Sequence, residues 1–287
     1  MSSTSAARLK GEKKMKRKLF CQLSPTAYRI SVAKCRAVRH LKNLSIRGQI
    51  ARRKEEPLPC VIYRHNSLIR RQLGNVDMQL QENKAVNLGL AAPQVSGIVI
   101  RPGEIFSFWS LVGNATEKRG FREGLTISNG GASHGVGGGM CQFTNLIHWM
   151  ILHTPMTIIE HHHHDGMDLF PDFNRQIPFG TGTSIVYNYL DYRFQNTTDQ
   201  TFQLITWTDE KYLCGELRSD RPLPVKYHIK TEHERFVEGD DGEVYRLGEV
   251  WRECVDKRTG QVTERVLIKN NHAKICYDRK YVTISPE

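Results

Sequence analysis

A run of glycines leads directly into a strongly patterned helix, and this arrangement constrains the fold more than any other stretch. The run spans residues 135–142 and reads GVGGGMCQ. After it, apolar residues recur at i, i+3, i+4, i+7 and i+8, which is the buried stripe of an amphipathic helix. These residues are Phe143, Leu146, Ile147, Met150 and Ile151. Because Pro155 ends the pattern, the sequence predicts a packed helix that begins near Cys141 and ends at Thr154.

Cys141 falls at the start of this helix. Unpaired N–H groups and the positive end of the helix dipole favour an anion there, so we expect a lowered thiol pKa and a usable thiolate. The preceding glycines let a substrate approach N–H groups that can stabilise an oxyanion. Inert packing is the competing interpretation, since cysteine is among the most buried residue types. A phosphate-binding P-loop is excluded because no Lys-Ser or Lys-Thr pair follows the glycines.

Four consecutive histidines, residues 161–164, follow the helix at the end of a short β-branched run. Alternate residues of a strand point to the same side, which predicts that His162 and His164 share one face. A histidine within hydrogen-bond reach of Cys141 would act as a general base. The cluster also allows a zinc site, in which His134 and Cys141 would join two of the four histidines, for example His162 and His164.

Several motifs resemble those of the VanW family. The sequence reads PGEIFSF at 102–108, GVGGGMCQFTNL at 135–146, IIE at 158–160 before the histidines, and KICY at 274–277. The similarity runs from about residue 83 to residue 277. These motifs are specific for the family and much less specific for an activity.

The resemblance implies thiol-dependent acyl transfer on peptidoglycan-type peptides, of the L,D-transpeptidase or amidase kind, and a link to vancomycin resistance. At the matching positions Cys141 would be the nucleophile, His164 the base and His162 its support. The oxyanion would be stabilised by the backbone of Gly137, Gly138 and Gly139 together with Gln142. No cofactor is implied.

One position departs from the family pattern, because relatives usually have an aspartate where this chain has Gly182. The carboxylate that orients the histidine would then come from Asp165, Asp168 or Asp191, and Asp191 matches a position that is acidic in relatives. The missing aspartate favours a second hypothesis, a non-catalytic accessory protein that binds a peptide or cell-wall precursor. A zinc-dependent hydrolase is the third hypothesis.

The N-terminal segment carries the positive charge. Residues 1–54 hold 16 of the 41 Lys and Arg residues but only one of the 30 acids, so this segment accounts for more than the whole net charge of +11 and the remaining chain is slightly acidic. We expect residues 1–18 to be disordered and residues 28–54 to form one or two basic amphipathic helices. Such an arm is either a solvated tail or an anchor for an anionic membrane surface, and specific nucleic-acid binding is not expected.

No apolar run reaches the roughly 20 residues that span a bilayer, and no convincing secretory signal is present. The seven cysteines are scattered without a CxxC pair, which is typical of a reducing compartment. The sequence therefore predicts a cytoplasmic location, with the inner membrane surface as the alternative.

The predicted fold is α+β, with the nucleophile-bearing helix packed on a mostly antiparallel sheet. The punctuation at residues 55–59 predicts a basic extension over residues 1–56 and a VanW-like domain over residues 57–287. A second helix is predicted over residues 83–95. The predicted strands cover residues 98–100, 105–109, 156–160, 184–194, 201–207, 212–217, 225–236, 244–252 and 261–268.

Overall fold

A computed structural model describes residues 19–71, 77–128, 131–163, 166–172 and 176–285. Within these ranges the helices are α1 (Pro25–Ser45), α2 (Met78–Val95), α3 (Phe108–Val112) and α4 (Met140–Ile151). The strands are β1 (Cys60–Leu68), β2 (Ile98–Ile100), β3 (Ile105–Ser107), β4 (Glu123–Ser128), β5 (Gly131–Val136), β6 (Thr157–Glu160), β7 (Met167–Asp168), β8 (Arg193–Gln195), β9 (Phe202–Thr208), β10 (Tyr212–Ser219), β11 (Val225–Glu238), β12 (Val244–Asp256) and β13 (Val262–Ile275). The expected disorder of residues 1–18 falls outside the described residues.

The strands form four sheets, and their pairing is antiparallel except where β7 joins β13. One sheet has the order β1-β10-β9-β2, a second β11-β12-β13-β7, a third β3-β8-β6, and β4 pairs with β5 alone. The predicted α+β class with mostly antiparallel sheet is thereby confirmed.

The main core forms where α2 and α4 pack on the sheet of β1, β10, β9 and β2. The predicted stripe of α4 is buried, with Phe143, Leu146 and Ile147 each 1% exposed or less. Burial of side chains of this size stabilises a fold by about 1.5–3 kcal/mol each, so this face fixes α4 on the sheet. The start of α4, which carries Cys141, is held in place as a result.

Strands β11, β12 and β13 form a long three-stranded arm. Each has 13 or 14 residues, which at about 3.3 Å per residue is roughly 45 Å. Buried Arg246 attaches the arm to residues 166–172 through Asp168 (3.2 Å) and Asp172 (2.7 Å). The middle of β13 thereby comes to face the start of α4 across a cleft.

Helix α1 is the predicted basic amphipathic helix, and it contacts the rest of the protein through arginines. Arg39 donates to both carboxylate oxygens of Glu160, at 2.6 and 2.5 Å. Further on, Ile50 bridges to Ile105, and fully buried Ala51 donates its N–H to the Ile105 carbonyl. These contacts join residues on both sides of the domain boundary predicted at residue 56. The boundary itself stays a prediction.

Two predicted strands are wrong in part. Residues 184–194 form only the short strand β8, because Asn188 has a φ of 47° and Val186 and Leu190 exchange both backbone hydrogen bonds across a tight turn. The predicted strand over residues 105–109 ends at Ser107, whose side chain caps α3 by accepting the N–H of Ser110.

Helix α2 begins earlier than predicted and continues through a proline. Asp77 caps its start by accepting the N–H of Gln79 at 2.8 Å. Pro93 lies in the last turn, where its missing N–H interrupts little, and the helix ends at Val95.

None of the described helices combines the length and the apolar character needed to cross a membrane.

Candidate active site

The glycine run packs tightly before α4. A Cβ atom at Gly138 would collide with the backbone of Gly124, and one at Gly139 with the Lys84 side chain. Gly139 is also the N-cap residue, with a φ of 103° that side chains rarely adopt. The buried amide of Asn87 donates to the Gly138 carbonyl at 2.9 Å. The glycines are therefore required for close packing, which holds Cys141 as the second residue of α4.

The thiol of Cys141 is half-buried and lies against a neighbouring backbone segment. Burial raises the pKa of the Cys141 thiol, although the N–H groups of Ile185 and of Cys141 itself act to lower it. The expected lowering of this pKa by the helix N-terminus is therefore wrong, because desolvation outweighs the nearby donors. The resting group is a thiol, and a base must remove its proton before it attacks.

Two backbone donors are available at the start of α4. Within the described residues, no acceptor receives the N–H of Gly139 or of Met140, and both residues line the cleft. By contrast, the Gln142 side-chain amide donates to the hydroxyl of Ser67 (2.9 Å) and the carbonyl of Leu68 (2.8 Å). The Gln142 side chain thus ties α4 to β1, and the two N–H groups are the better candidates for stabilising an oxyanion.

Residues 182–185 run between α4 and the histidines. The N–H and hydroxyl of Thr183 both donate to Asn145 Oδ1, at 2.6 and 2.8 Å. The next residue, Ser184, donates its N–H to the His162 carbonyl at 2.7 Å. This segment therefore positions the histidine run relative to the first turn of α4.

Among the described histidines of the run, His161 and His163 lie on the same side, towards α4. Their ring centroids are 4.0 Å apart, and His161 also packs at 4.1 Å against buried His148 of α4. Burial, followed by the neighbouring His163, lowers the pKa of His161 to about 4. Burial also lowers the pKa of His148 well below its usual value. His163 lines the cleft together with Cys141.

His162 points elsewhere. Its Nε2 lies 3.1 Å from Glu160 Oε1, in the carboxylate that Arg39 also holds, and His162 is not among the described residues that line the cleft. The predicted base His164 and the candidate orienter Asp165 fall outside the described residues. The roles predicted for His162 and His164 therefore stay predictions.

The other candidate orienters have structural partners. Asp191 is buried and accepts hydrogen bonds from the Ser107 hydroxyl (2.6 Å), the Trp109 N–H (3.0 Å) and Arg193 Nε (2.7 Å). Asp168 pairs with Arg246 and the Tyr277 hydroxyl. Both carboxylates therefore already have partners in the fold, and the carboxylate that lies beside a described ring of the histidine run is that of Glu160, next to His162.

Cys141 opens onto a cleft of about 1570 Å³. One wall is the start of α4 with parts of β1 and α2, and the other is residues 269–273 of β13 with the segments that precede β8. Among the described lining residues the acids are Asp168 and Asp172, both paired with Arg246. The lining cations are Arg36, Arg70, Arg71, Lys84 and Lys269. A cleft of this size and positive charge suits an extended anionic ligand.

Lys84 of α2 is a site residue that the sequence analysis missed. Its side chain passes against Gly139 and is only 6% exposed, yet the described residues provide it with no hydrogen bond or ion pair. Burial, with Arg71 and Arg70 nearby, lowers the pKa of Lys84 to about 7. In the sequence, Lys84 precedes Asn87 by three residues, so a helix places both on the same face. Asn87 is buried, and this spacing was the available signal.

The zinc alternative finds no support in the described residues. His134 Nδ1 pairs with Glu123 Oε1 across β4 and β5 at 2.5 Å. The single described group with ligand atoms close enough for a metal is Glu232, His233 and Glu249, on the arm. The proposed set of His134, His162 and His164 includes a residue outside the described ranges.

Comparisons with known proteins indicate the family. The VanW family model, described as "VanW like protein", matches residues 83–218, which include most of α2, all of α3 and α4, and the glycine run, but not the arm. The chain is 28% identical over 122 residues to the uncharacterized protein YoaR of Bacillus subtilis (strain 168), covering 42% of this chain and 37% of YoaR. No solved structure matches the chain.

A second relative covers far more of the sequence. The vancomycin B-type resistance protein VanW of Enterococcus faecalis (strain ATCC 700802 / V583) is 36% identical over 218 residues, an alignment that covers 76% of each protein. With that identity over that share of both chains, this protein belongs to the VanW family.

Proposed function

We propose that this protein is a thiol-dependent acyl-transfer enzyme that acts on peptidoglycan-type peptides, with Cys141 as its nucleophile. The observation that carries the proposal is the position of Cys141 in the first turn of α4, at a positively charged cleft and beside two backbone donors without described acceptors. Nucleophile, oxyanion donors and a cleft for an extended ligand are the parts that acyl transfer requires.

In the proposed reaction, a base takes the Cys141 proton as Sγ attacks the scissile carbonyl of a stem peptide. The C–N bond breaks, the terminal amino acid leaves as an amine with the proton, and the acyl group remains on Sγ as a thioester. An acceptor amine then attacks the thioester and the thiol is restored. With water as acceptor, the same steps give hydrolysis.

The base is proposed to be a histidine of residues 161–164. The raised pKa of Cys141 supports the need for a base, because little thiolate is present at neutral pH. His163 lines the same cleft, and His164 keeps its predicted role. With a pKa of about 4, His161 is neutral at pH 7 and donates from Nε2 to the Gly182 carbonyl, so it serves better as packing than as base.

The test is intact-mass detection of an acyl adduct after incubation with a tetrapeptide stem and, separately, with a carbapenem. We expect an adduct on the wild type and on Cys276→Ala, a matched control at an exposed cysteine, and none on Cys141→Ala. A folded wild-type protein without an adduct, or an adduct that persists in Cys141→Ala, would refute the nucleophile.

A non-catalytic module that binds peptide or cell-wall precursor is the second candidate. It is favoured by Gly182, which provides no carboxylate, and by the structural engagement of Asp191. Tight binding of the tetrapeptide without acylation would select it. A contribution to vancomycin resistance, taken from the relative's name, belongs to the proposal under either candidate.

A further inference from the structure

We propose that Lys84 forms a carboxylate-binding subsite beside Cys141, and that its ligand is the free terminal carboxylate of the acyl-donor peptide. This inference rests on the proposed function and specifies the substrate. The donor would be a peptide that is cut one residue before its end.

The first support is the unpaired burial of Lys84. More than nine-tenths of its surface is buried, it lines the cleft, and no described residue pairs with its ammonium group. Burying a cation without a partner is costly. A ligand carboxylate would remove that cost by forming a charge-assisted hydrogen bond.

The second support is the positive electrostatic potential around Lys84. Arg70 and Arg71 line the same part of the cleft. Arg70 is engaged by Glu82 at 2.6 and 2.8 Å, so its position is fixed. Gly139, which lies against the Lys84 stem, begins α4, whose dipole adds positive potential. These features together favour an anion where Lys84 reaches the cleft.

The third support is distance. Gly139 and Cys141 are two residues apart, so their Cα atoms are at most about 7 Å apart. In a peptide whose scissile bond precedes its last residue, the terminal carboxylate carbon is three bonds from the attacked carbonyl carbon, or about 3–4 Å. Because the Lys84 side chain lies against Gly139, a donor carboxylate beside the attacked bond would be close to Lys84.

The binding test uses Cys141→Ala, which cannot be acylated. It is titrated by calorimetry with a tetrapeptide stem ending in a free carboxylate and with the same peptide as its terminal amide. We expect the acid to bind at least about ten-fold more tightly, and Lys84→Met to abolish this preference while it keeps the buried methylenes. Lys269→Met, which removes the same charge from the opposite wall, should retain it.

Equal binding of acid and amide to Cys141→Ala, or a preference that survives Lys84→Met, would overturn the subsite. A second readout does not depend on the peptide. Lys84 is labelled by reductive ¹³C-methylation, and its NMR signal, identified by its absence in Lys84→Met, is followed during titration with N-acetyl-D-alanine. A shift that saturates is expected, and an unmoved signal in folded protein contradicts the proposal.

The two readouts separate the subsite from the catalytic proposal. A saturating shift without acylation of Cys141 would keep the carboxylate subsite and refute acyl transfer. Acylation of Cys141 without a carboxylate preference and without an NMR shift would keep acyl transfer and refute the carboxylate subsite.

We also infer, from a separate observation, that α1 binds an anionic lipid surface. The face of α1 opposite its arginine contacts carries an exposed apolar stripe at helical spacing, formed by Ile30, Ala33, Ala37, Leu41 and Leu44. Leu41 and Ile30 are 66% and 54% exposed. The preceding residues Leu19, Phe20 and Leu23 are exposed as well. Nothing in the described chain covers this surface.

The charge around the apolar stripe of α1 indicates which kind of surface binds there. The stripe is flanked by Arg29, Lys34 and Lys42, and residues 13–54 contain no acid. An apolar stripe between basic residues suits the headgroup region of an anionic bilayer, where apolar burial and electrostatic attraction add. Because the ion pair between Arg39 and Glu160 fixes the orientation of α1, the apolar stripe faces outward in the folded protein.

Co-sedimentation of the full chain with vesicles of phosphatidylcholine containing phosphatidylglycerol tests this inference. We expect binding that weakens as salt rises, little binding to phosphatidylcholine alone, and a loss of about ten-fold for Leu41→Glu. Val262→Glu is the matched control, because it adds the same charge at an exposed apolar residue of the arm.

Folded protein that does not bind the anionic vesicles, or Leu41→Glu that binds as well as the wild type, would contradict lipid binding. Concentration-dependent dimerisation in ultracentrifugation that Leu41→Glu abolishes would assign the stripe to a second copy instead.

Discussion

His161 Nε2 lies 3.0 Å from the carbonyl oxygen of Gly182. Since a carbonyl can only accept, the ring donates from Nε2 and is held in one tautomer. The position that carries an aspartate in the family pattern is thus in contact with the histidine run through its backbone. The histidine run of this chain keeps its order near α4 without that carboxylate.

Restoring the carboxylate should increase reactivity. The nearest heavy atom to a Cβ at Gly182 is Asn145 Oδ1 at 4.0 Å, so a side chain can begin at this position without a clash at its Cβ. A carboxylate there would favour the protonated form of a nearby histidine, and we expect acylation of Cys141 to accelerate by about ten-fold or more. The measurement is a mass-detected time course, with Gly182→Asn as a control of the same size. Equal rates for the two variants would count against a histidine base beside residue 182.

The buried histidines should make the fold sensitive to acid. Burial lowers the pKa of His161 to about 4 and that of His148 well below its usual value, whereas unfolded histidine titrates near 6.5. Below about pH 6.5 the unfolded chain therefore takes up protons that the folded chain does not. The free energy of unfolding should fall by about 3–5 kcal/mol as the pH drops from 6.5 to 4.

Urea denaturation at several pH values measures this dependence. His161→Phe keeps a ring against His148 and should flatten the profile, whereas His40→Phe, at an exposed position of α1, should not. A His161→Phe profile as steep as that of the wild type would show that other groups cause the acid sensitivity.

Arg246 should be essential for attaching the arm. Burial alone would lower its pKa, but Asp172, Glu234 and Asp168 raise it above its usual value. Arg246→Leu would leave Asp168, which is 1% exposed, without its cation, and we expect a loss of about 3–5 kcal/mol. Arg265→Leu, which removes a more exposed partner of Glu232, should cost less than about 1 kcal/mol. Similar urea midpoints for the two variants would contradict this difference.

Truncation tests the predicted boundary at residue 56. Deletion of residues 1–18 should change stability little, whereas deletion of residues 1–54 removes buried Ala51, the bridge from Ile50 and the partner Arg39 of Glu160. Each lost hydrogen bond costs about 1 kcal/mol, and Glu160 loses its closest cation although Arg193 and His162 remain beside it, so we expect a total loss of several kcal/mol. Matched melting curves for the two truncations would support the boundary at residue 56.

The elements that were predictable from sequence are those in which one buried face produces a regular spacing of apolar residues. The stripe of α4 and strand β12 are examples, because each buries one face along most of its length. The strand β1 was missed because its burial follows from pairing with β10, more than a hundred residues away. The turn at residues 186–190 depends on a positive φ at Asn188, which side-chain alternation does not report.

The candidate site likewise has some features that local sequence predicts and others that depend on distant contacts. The place of Cys141 at the start of a helix follows from local spacing, and it was predictable. The direction of the thiol pKa shift was not, because burial outweighs the backbone N–H groups of Ile185 and Cys141 beside the thiol. The direction of the histidine faces and the role of Lys84 depend on which elements pack nearby, and no local pattern contains that information.

The contacts that hold α1 bear on the order of folding during synthesis. Arg39 binds Glu160 and the Tyr189 carbonyl, and Arg36 accepts a hydrogen bond from Asn188, so these partners are 121 to 152 residues later in the chain. A nascent chain makes its N-terminal helix long before these partners leave the ribosome. The most basic part of the molecule therefore remains undocked until about two-thirds of the protein has been made, and a bound chaperone or membrane surface during that interval would decide where folding is completed.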